Sequence, residues 1–261
     1  MTALSPALQR HVGHRRRKGR DWKGAAEALR RLAANKEDTA QVYAIMHALN
    51  GHAYEIGYVR LLATPEGGRI AYERVELAEI LADEAVRATW PPGSVGAAYV
   101  AFQESEHISV QGLIDESHKG VPPAELDQRH PYAWFFRRFR DIHDILHILT
   151  GYGRDWLGEV CLLTFSYQET HDLGRAVMAM GSFLRTRGPT AGPARKAIVE
   201  ARRRGREAAW LPGEDFERLL AEPLEDARRR LGLTPPLAYE GVPLEQRNVI
   251  AAPRTSREAG E

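Results

Sequence analysis

The chain has 261 residues, of which 43% are hydrophobic and 27% are charged. These values are typical of a soluble globular protein, and the length is sufficient for one large domain or two small ones. The formal net charge of +1 argues against nucleic-acid binding by the protein as a whole.

Basic residues are concentrated in two segments of this nearly neutral chain. Between Arg10 and Arg20 there are six Lys or Arg residues and no acidic residue, and Arg195 to Arg206 is nearly as basic. Such segments are either simply solvated or face an anionic membrane surface. We predict that residues 1–20 form a basic, flexible N-terminus that gives the protein a salt-sensitive affinity for membranes.

Cysteine content and hydropathy bear on location. Cys161 is the only cysteine, so no intramolecular disulfide can form and a reducing compartment is expected. The first 20 residues lack the apolar core of a signal peptide, and the longest apolar stretches fall well short of the roughly 18 residues that span a bilayer. Any membrane association is therefore expected to be peripheral.

Apolar residues recur every three or four positions along almost the whole chain, and neither alternating β-branched runs nor internal repeats are present. The spacing predicts helices over residues 21–34, 40–62, 69–72, 77–82, 95–106, 132–149, 156–183, 194–209 and 214–231.

Breaks between these helices are expected where proline and glycine cluster. Residues 64–68 predict a turn, the Pro122-Pro123 pair a polar loop, and Gly151-Tyr152-Gly153 an interruption. We therefore predict an all-α fold, with a single helical domain over residues 21–245 and a disordered tail over residues 246–261.

Three potential metal ligands share one turn of the predicted helix over 132–149: His143, Asp144 and His147. At about 100° per residue, the two histidines lie on nearly the same face and Asp144 lies within that arc. Two imidazoles and a carboxylate suit zinc, or ferrous iron if coordination positions stay open.

The structural alternative is a helix with two hydrogen-bonded core histidines. An unpaired buried carboxylate costs several kcal/mol, however, and no Lys or Arg between His143 and Gly153 neutralises Asp144. A divalent cation removes this cost, so metal binding is the favoured interpretation.

Glu159 is the candidate for a further ligand. On one continuous helix it would lie about 18 Å beyond His147 and about 120° around the axis, too far to join the site. Gly151 and Gly153 favour a helix break, and a chain that turns back there would bring Glu159 beside the histidines.

Two hydrolase classes fit this pattern less well. A thermolysin-type protease carries Glu after its first His as general base, and Asp144 is one methylene shorter. A His-Asp phosphohydrolase needs more widely separated ligands, for which His130 and Asp172 are candidates. His118 and His171 are also near enough in sequence to support the ligands.

With these residues, the sequence resembles the coenzyme Q biosynthesis protein four family over residues 22–240. The chain reproduces that family's metal motif without a departure: His143-Asp144-x-x-His147, then eleven residues, then Glu159. Individually weaker similarities lie at residues 38–42, 150–155, 157–159, 216–217 and 222–224.

The resemblance implies a largely helical protein with a divalent metal, usually taken as zinc, and an apolar cavity for a polyprenyl tail. His143, Asp144, His147 and Glu159 would be both the metal ligands and the catalytic residues. The family is associated with removal of the C1 carboxyl of a prenylated 4-hydroxybenzoate-type intermediate and with hydroxylation at that carbon. This would make the protein a metal-dependent lyase, a decarboxylase of ubiquinone biosynthesis.

The same resemblance implies the partners and the location. The partners would be the prenylated lipid, a membrane surface, other ubiquinone-biosynthesis proteins and a second copy of the chain. The location would be the cytoplasmic face of a bacterial inner membrane or the matrix face of a mitochondrial one. Aromatic and aliphatic residues around the motif, such as Trp134, Phe135 and Phe139, would line the lipid cavity.

The chemistry is compatible with these residues, because a metal with an open position can stabilise negative charge that develops on a bound substrate. Oxidative replacement of the carboxyl also requires an electron acceptor such as dioxygen, and no Gly-rich dinucleotide fingerprint, haem motif or Cys cluster supplies one. If all four predicted ligands bind the metal tightly, the site is structural.

The alternative function is then a prenyl-lipid-binding scaffold that organises other ubiquinone-biosynthesis enzymes. An unrelated metallohydrolase would require a general base free of the metal.

Overall fold

The computed structural model describes residues 19–35, 38–121, 130–188 and 191–248. Within these ranges the regular secondary structure is helical, and the only β feature is an isolated bridge between Ser94 and Pro223. The predicted all-α class is therefore confirmed. Most of the basic N-terminus, the Pro122-Pro123 loop and most of the predicted tail lie outside the described residues.

The described helices are, in chain order, α1 (Trp22–Ala34), α2 (Thr39–Leu49), α3 (Ala53–Leu61), α4 (Pro65–Glu73), α5 (Leu77–Ala82), α6 (Glu84–Arg87), α7 (Val95–Glu106), α8 (Val110–Gly120), α9 (Pro131–Asp141), α10 (His143–Thr150), α11 (Trp156–Thr170), α12 (Leu173–Arg185), α13 (Ala191–Glu207), α14 (Phe216–Leu219), α15 (Leu224–Arg230), α16 (Leu237–Glu240) and α17 (Leu244–Arg247), with a 3-10 turn at Leu211–Gly213. None of them combines the length and the hydrophobicity needed to cross a membrane.

The prediction of one long helix over residues 40–62 is wrong, because the helix ends at Leu49. Gly51 has a φ of 56°, in the left-handed region that ends helices, and α3 starts afresh at Ala53. The break at Gly51 therefore divides the predicted helix into α2 and α3.

The turn predicted over residues 64–68 is also wrong. The Thr64 hydroxyl accepts a hydrogen bond from the Gly67 N–H at 3.0 Å, and Pro65 occupies the first position of α4. A capping Thr followed by Pro begins a helix, because Pro lacks the N–H that would stay unbonded in the first turn.

Other boundaries also differ from the prediction. The helix over 132–149 is divided at Ile142 into α9 and α10. The helix over 156–183 is divided at His171, whose φ is 53°, and Asp172 caps α12. The helix over 214–231 is divided into α14 and α15. Helix α8, which the periodicity does not predict, begins where the Ser109 hydroxyl accepts from the Gly112 N–H at 3.1 Å.

The core is built around the segment that carries the metal motif. Helices α9, α10 and α11 contribute many of its side chains, among them Trp134, Phe135, Ile145, Leu146 and Cys161. A smaller apolar cluster joins α1, α2 and α12. Cys161 is fully buried, as its apolar neighbours predict.

Helix α13 packs closely along α11 at Gly205. A Cβ atom at Gly205 would lie 2.7 Å from the carbonyl oxygen of Phe165, which is closer than atoms of this kind approach. The glycine therefore permits the close packing that carries the neighbouring Arg204 into the interior.

We predict that Gly205→Ala lowers the free energy of unfolding by about 1–3 kcal/mol, because the added methyl group pushes α13 away from α11. Gly181→Ala in α12 is the matched control, since no atom lies within 4 Å of the added Cβ. It should be neutral or stabilising by up to about 1 kcal/mol. Urea unfolding of both variants measures the difference, and equal stabilities would contradict the packing argument.

Glu169 lies near the C-terminal end of α11 and is 5% exposed. Its carboxylate accepts the Leu211 N–H at 3.0 Å, and its backbone carbonyl accepts the Trp210 indole N–H at 2.9 Å. Burial raises the pKa of Glu169 to about 8, against the opposing effects of the Leu211 N–H and the Arg60 charge. The folded protein therefore holds a proton that the unfolded chain releases.

We predict that this carboxyl group makes the protein less stable as pH rises from about 4.5 to about 8. In this window the unfolded chain releases the proton and the folded chain keeps it, so each pH unit costs up to about 1.4 kcal/mol. Glu169→Gln keeps the acceptor for Leu211 and should flatten this dependence in pH-dependent urea unfolding. Glu207→Gln, at an exposed site, should leave the dependence unchanged. A Glu169→Gln curve parallel to that of the wild type would contradict the assignment.

Candidate metal centre

The motif helix ends in a tight reversal. Gly151 adopts a φ of 77° and its N–H donates to the carbonyl of His147 at 2.9 Å, which closes the last turn of α10. Helix α11 then starts at Trp156, where Asp155 caps it by accepting the Gly158 N–H at 2.9 Å. The break predicted at residues 151–153 is confirmed.

Gly158 fixes how closely α11 follows this reversal. A Cβ atom at Gly158 would overlap the backbone carbonyl of Gly153, so a side chain at this position would force the two segments apart. Glu159 is the next residue and lies in the first turn of α11. The reversal and the close approach together place its carboxylate beside the histidines of α10.

The predicted ligands His143, His147 and Glu159 come together in the structure. One potential ligand atom from each lies within 4.8 Å of the other two. His147 Nε2 is 3.5 Å from Glu159 Oε1, and His143 Nε2 is 3.8 Å from Glu159 Oε2. These distances exceed those of hydrogen bonds, so the carboxylate faces both rings without bonding to either.

The ring of His147 is held in one orientation. Its Nδ1 lies 3.0 Å from the carbonyl oxygen of Tyr152, and because a carbonyl only accepts, Nδ1 carries the hydrogen. Phe102 stacks on the ring at a centroid distance of 5.7 Å. In the neutral ring the Nε2 lone pair is therefore free and directed towards Glu159.

That His147 Nε2 atom is buried and has no hydrogen-bond partner. A buried polar atom without a partner costs about 1–3 kcal/mol, which a ligand in the gap between Nε2 and Glu159 would relieve. A species that fills this gap must accept the electron pair of Nε2 and attract the Glu159 carboxylate. A divalent cation does both.

Asp144 is placed differently from the other three predicted ligands. It is 5% exposed, and its Oδ1 lies 3.1 Å from His143 Nδ1, on the side of the ring away from the Nε2 atom that faces Glu159. In this position the carboxylate orients the His143 ring, as carboxylates commonly do for metal-binding histidines. Direct ligation by Asp144 stays a prediction.

The charges in the site favour ionised carboxylates. Burial alone would raise the pKa of Glu159, but the imidazoles of His147 and His143 when they are protonated, together with the Arg154 charge, outweigh it and hold that pKa below its usual value. The pKa of Asp144 is lowered in the same way against burial, by its hydrogen bond with His143 and the nearby positive charges. Burial lowers the pKa of His143, but Asp144 and Glu159 raise it above its usual value overall.

The donor set fits a divalent cation. Two ligands of a tetrahedral zinc ion, each at about 2.0–2.1 Å, lie about 3.3 Å apart, so the distances from Glu159 to His147 and His143, 3.5 and 3.8 Å, require only small shifts. Two nitrogens and a carboxylate also suit ferrous iron. Three protein ligands leave a coordination position open, as in catalytic zinc sites.

The other histidines considered from sequence lie outside this cluster. His130 caps α9 by accepting the Tyr132 N–H at 3.2 Å, and His171 caps the end of α11. His118 is in the last turn of α8. Asp172, the candidate ligand of a phosphohydrolase, forms a buried ion pair with Arg175 at 2.6 Å instead.

No sequence motif marks the residues that hold the reversal in place. Arg204, assigned to a basic surface segment, is 2% exposed and donates to the carbonyl of Thr150 at 2.8 Å. One signal was present in the sequence, because Arg204 continues the buried stripe of α13 at helical spacing. That stripe consists of Ala194, Ala197, Ile198 and Ala201.

These features define a class: helical proteins with a His-His-carboxylate site built on a helix, a reversal and the first turn of the next helix. Residues 32–237 match the family model described as Coenzyme Q (ubiquinone) biosynthesis protein Coq4. The chain belongs to this family.

Relatives from mammals agree with this family. The protein described as Ubiquinone biosynthesis protein COQ4 homolog, mitochondrial, of Bos taurus is 28% identical over 183 residues, covering 68% of this chain and 65% of the relative. The Homo sapiens protein of the same description is 27% identical over 186 residues, again covering 68% and 65%. The chain thus matches about 65% of the length of these relatives.

The fold has a relative of known structure. A crystal structure described as that of a ubiquinone biosynthesis protein from Nostoc punctiforme PCC 73102 superposes with a TM-score of 0.58 at 18% identity. The superposition covers 81% of this chain and 98% of the Nostoc chain. At this identity the likeness shows the shared fold.

We predict that His147→Ala abolishes zinc binding and that Glu159→Gln weakens it strongly, because each removes one ligand while the Gln variant keeps the shape. Asp144→Asn should weaken binding by about 10- to 100-fold, as expected for a residue that orients a ligand. Competition titration with a chromophoric chelator measures these affinities.

Glu207→Gln is the matched control for these variants, because Glu207 pairs with Arg203 on an exposed surface. Its zinc affinity should equal that of the wild type. Unchanged affinity in Glu159→Gln, alongside lost affinity in His147→Ala, would show a site without Glu159. A loss in Asp144→Asn as complete as in His147→Ala would make Asp144 a direct ligand.

Proposed function

We propose that this protein is a metal-dependent decarboxylase of ubiquinone biosynthesis, which removes the C1 carboxyl of a prenylated 4-hydroxybenzoate-type intermediate and supports hydroxylation at that carbon. The observation that carries the proposal is the buried Nε2 atom of His147, which has no hydrogen-bond partner and faces Glu159 Oε1 at 3.5 Å. Membership in the Coq4 family supports the pathway, and the ring chemistry is our own proposal.

The exposure of the cluster supports an enzymatic rather than a purely structural metal. The His147 side chain is 0% exposed, whereas those of His143 and Glu159 are 39% and 35% exposed. The site is therefore closed on the His147 side and open on the other. Structural zinc sites are surrounded by four protein ligands, whereas an open side gives a substrate access to the metal.

His143, His147 and Glu159 would hold the metal, zinc or ferrous iron, and Asp144 would orient His143. A bound cation would supply Lewis acidity towards a carboxylate or phenolate of the substrate. The Tyr152 carbonyl keeps the hydrogen of the neutral His147 ring on Nδ1. The neutral ring thus presents Nε2 as a ligand without first having to lose a proton from that atom.

The bonds that break and form at C1 determine whether the reaction needs a proton or an electron acceptor. Carbon dioxide leaves with cleavage of the C1–carboxyl bond, and the electron pair left on the ring takes up a proton in simple decarboxylation. In oxidative replacement a C1–oxygen bond to an oxygen atom of water forms instead, and dioxygen would accept two electrons and two protons and leave as hydrogen peroxide. Both routes release one carbon dioxide per substrate.

The prenyl tail and the membrane are part of the proposal. Exposed apolar side chains lie on α1 and α12, which both pack against α2; they are Trp22, Leu29, Met180 and Leu184. The basic segment between Arg10 and Arg20 directly precedes α1. This combination supports peripheral attachment to an anionic membrane, where the lipid substrate and the other ubiquinone-biosynthesis proteins would be reached. The membrane would be the bacterial inner membrane, at its cytoplasmic face, or the mitochondrial one, at its matrix face.

We predict that the zinc- or iron-loaded protein releases carbon dioxide from a prenylated 4-hydroxybenzoate-type lipid in anionic vesicles, and that Glu159→Gln does not. Trapped labelled carbon dioxide and chromatography of the ring product measure the reaction, with and without dioxygen. Glu207→Gln should react like the wild type. Lipid binding and metal binding without turnover would support the scaffold role instead.

A further inference from the structure

Arg204 is a buried cation that reaches the reversal after α10 from α13. Its Nη2 donates to the carbonyl of Thr150 at 2.8 Å and its Nε donates to the carbonyl of Thr234 at 2.9 Å. Its guanidinium also lies 4.8 Å from the centre of the Tyr152 ring. Arg204 therefore contacts both residues that flank Gly151.

The same reversal supplies the hydrogen-bond partner of His147. The Tyr152 carbonyl accepts from His147 Nδ1 at 3.0 Å. Tyr152 is 2% exposed, and its ring contacts both the Arg204 guanidinium and the Tyr239 ring, whose centre lies 5.4 Å away. These contacts hold the residue that carries the carbonyl.

Packing or helix capping alone does not account for Arg204. Burying a guanidinium costs more than burying an apolar side chain of similar size. The end of α10 is already capped by a second arginine, since Arg228 donates to the carbonyls of Ile148 at 2.6 Å and Leu149 at 3.2 Å. What Arg204 adds is a link between the last residue of α10, Thr150, and the Tyr152 ring beyond the helix end.

We propose that Arg204 is a positioning residue for the metal centre, which acts through the Tyr152 carbonyl to keep the hydrogen of His147 on Nδ1 and its Nε2 available as a ligand. The inference rests on the metal site of the proposed function. Arg204 itself touches neither the metal ligands nor a substrate.

The physical link is the tautomer of the His147 ring. A neutral imidazole carries its hydrogen on one nitrogen, and the acceptor beside Nδ1 decides which. If the carbonyl moves away from Nδ1, the hydrogen also occupies Nε2, and a ring with hydrogen on Nε2 cannot bind a metal through that atom. Loss of a ligand's hydrogen-bond partner commonly changes metal affinity by about 10- to 100-fold, and displacement of the Tyr152 carbonyl would be such a loss.

The test compares Arg204→Lys with Arg228→Lys. Both variants keep a positive charge at the end of α10, but only Arg204→Lys loses the fork that joins Thr150 to the Tyr152 ring. Nitrogen-15 NMR of the metal-free protein, at a pH where the ring is neutral, reports the tautomer of His147. Competition titration reports zinc affinity, and circular dichroism confirms that each variant is folded.

We expect wild type and Arg228→Lys to hold the hydrogen on Nδ1, and Arg204→Lys to show a mixture of tautomers with zinc binding weakened about 10- to 100-fold. If Arg204→Lys does not fold, Tyr152→Leu takes its place, because it removes the ring beneath the guanidinium while the Thr150 contact stays. It should shift the tautomer in the same direction.

Three results would overturn the inference. They are an unchanged tautomer and affinity in the folded Arg204 or Tyr152 variant, an equal effect of Arg228→Lys, and hydrogen on Nε2 in the wild type. A wild type that binds neither zinc nor ferrous iron but holds the Nδ1 tautomer, lost in Arg204→Lys, would instead refute the metal-dependent function and leave Arg204 as the residue that positions the His147 ring.

Discussion

The hydrogen bond from His147 Nδ1 to the Tyr152 carbonyl is the interaction on which the arrangement of the site depends. It joins the last turn of α10 to the reversal that follows, and it decides which nitrogen of the ring is free. The free nitrogen then faces Glu159 across 3.5 Å, a distance that suits two ligands of one cation. A carbonyl can play this part because it accepts hydrogen bonds at every pH, whereas a carboxylate can be protonated.

A reversal at the end of a buried helix leaves backbone carbonyls without hydrogen-bond donors. Residues from other parts of the chain supply these donors. The last carbonyls of α10 have no partner within the helix and form the negative end of its dipole. Arg228 and Arg204 donate to three of them, which satisfies the carbonyls and places positive charge where the dipole favours it. The Tyr239 hydroxyl accepts the Gly153 N–H at 2.9 Å and bonds to Asp155.

These contacts come from α13, α15 and α16, so the C-terminal third of the chain holds a site whose ligands all lie between residues 143 and 159. The close packing of α13 on α11 at Gly205 is what lets Arg204 reach so far inward. The ligands and the residues that hold the reversal are thus far apart in the sequence. Only the native fold brings them together.

The sequence by itself determined the parts of this protein that depend on local geometry. His143 and His147 share a helix face because four residues are close to one turn, and the glycines at 151 and 153 marked the reversal because they adopt left-handed or tightly packed backbone at no steric cost. The family motif added Glu159. Helical periodicity likewise established the all-α class, since it is repeated over most of the chain.

Other features were decided only in the tertiary structure, because they depend on what a residue meets across space. Residues 40–62 carry continuous helical periodicity, yet the chain turns at Gly51 between α2 and α3. Asp144 shares the helix turn of the histidines, but its carboxylate lies against His143 Nδ1 rather than among the clustered ligand atoms. Arg204 lies in a basic segment typical of a protein surface, yet its side chain is buried. The carbonyls of Thr150 and Thr234 accept its hydrogens, and this pairing between distant segments is not encoded in a local pattern.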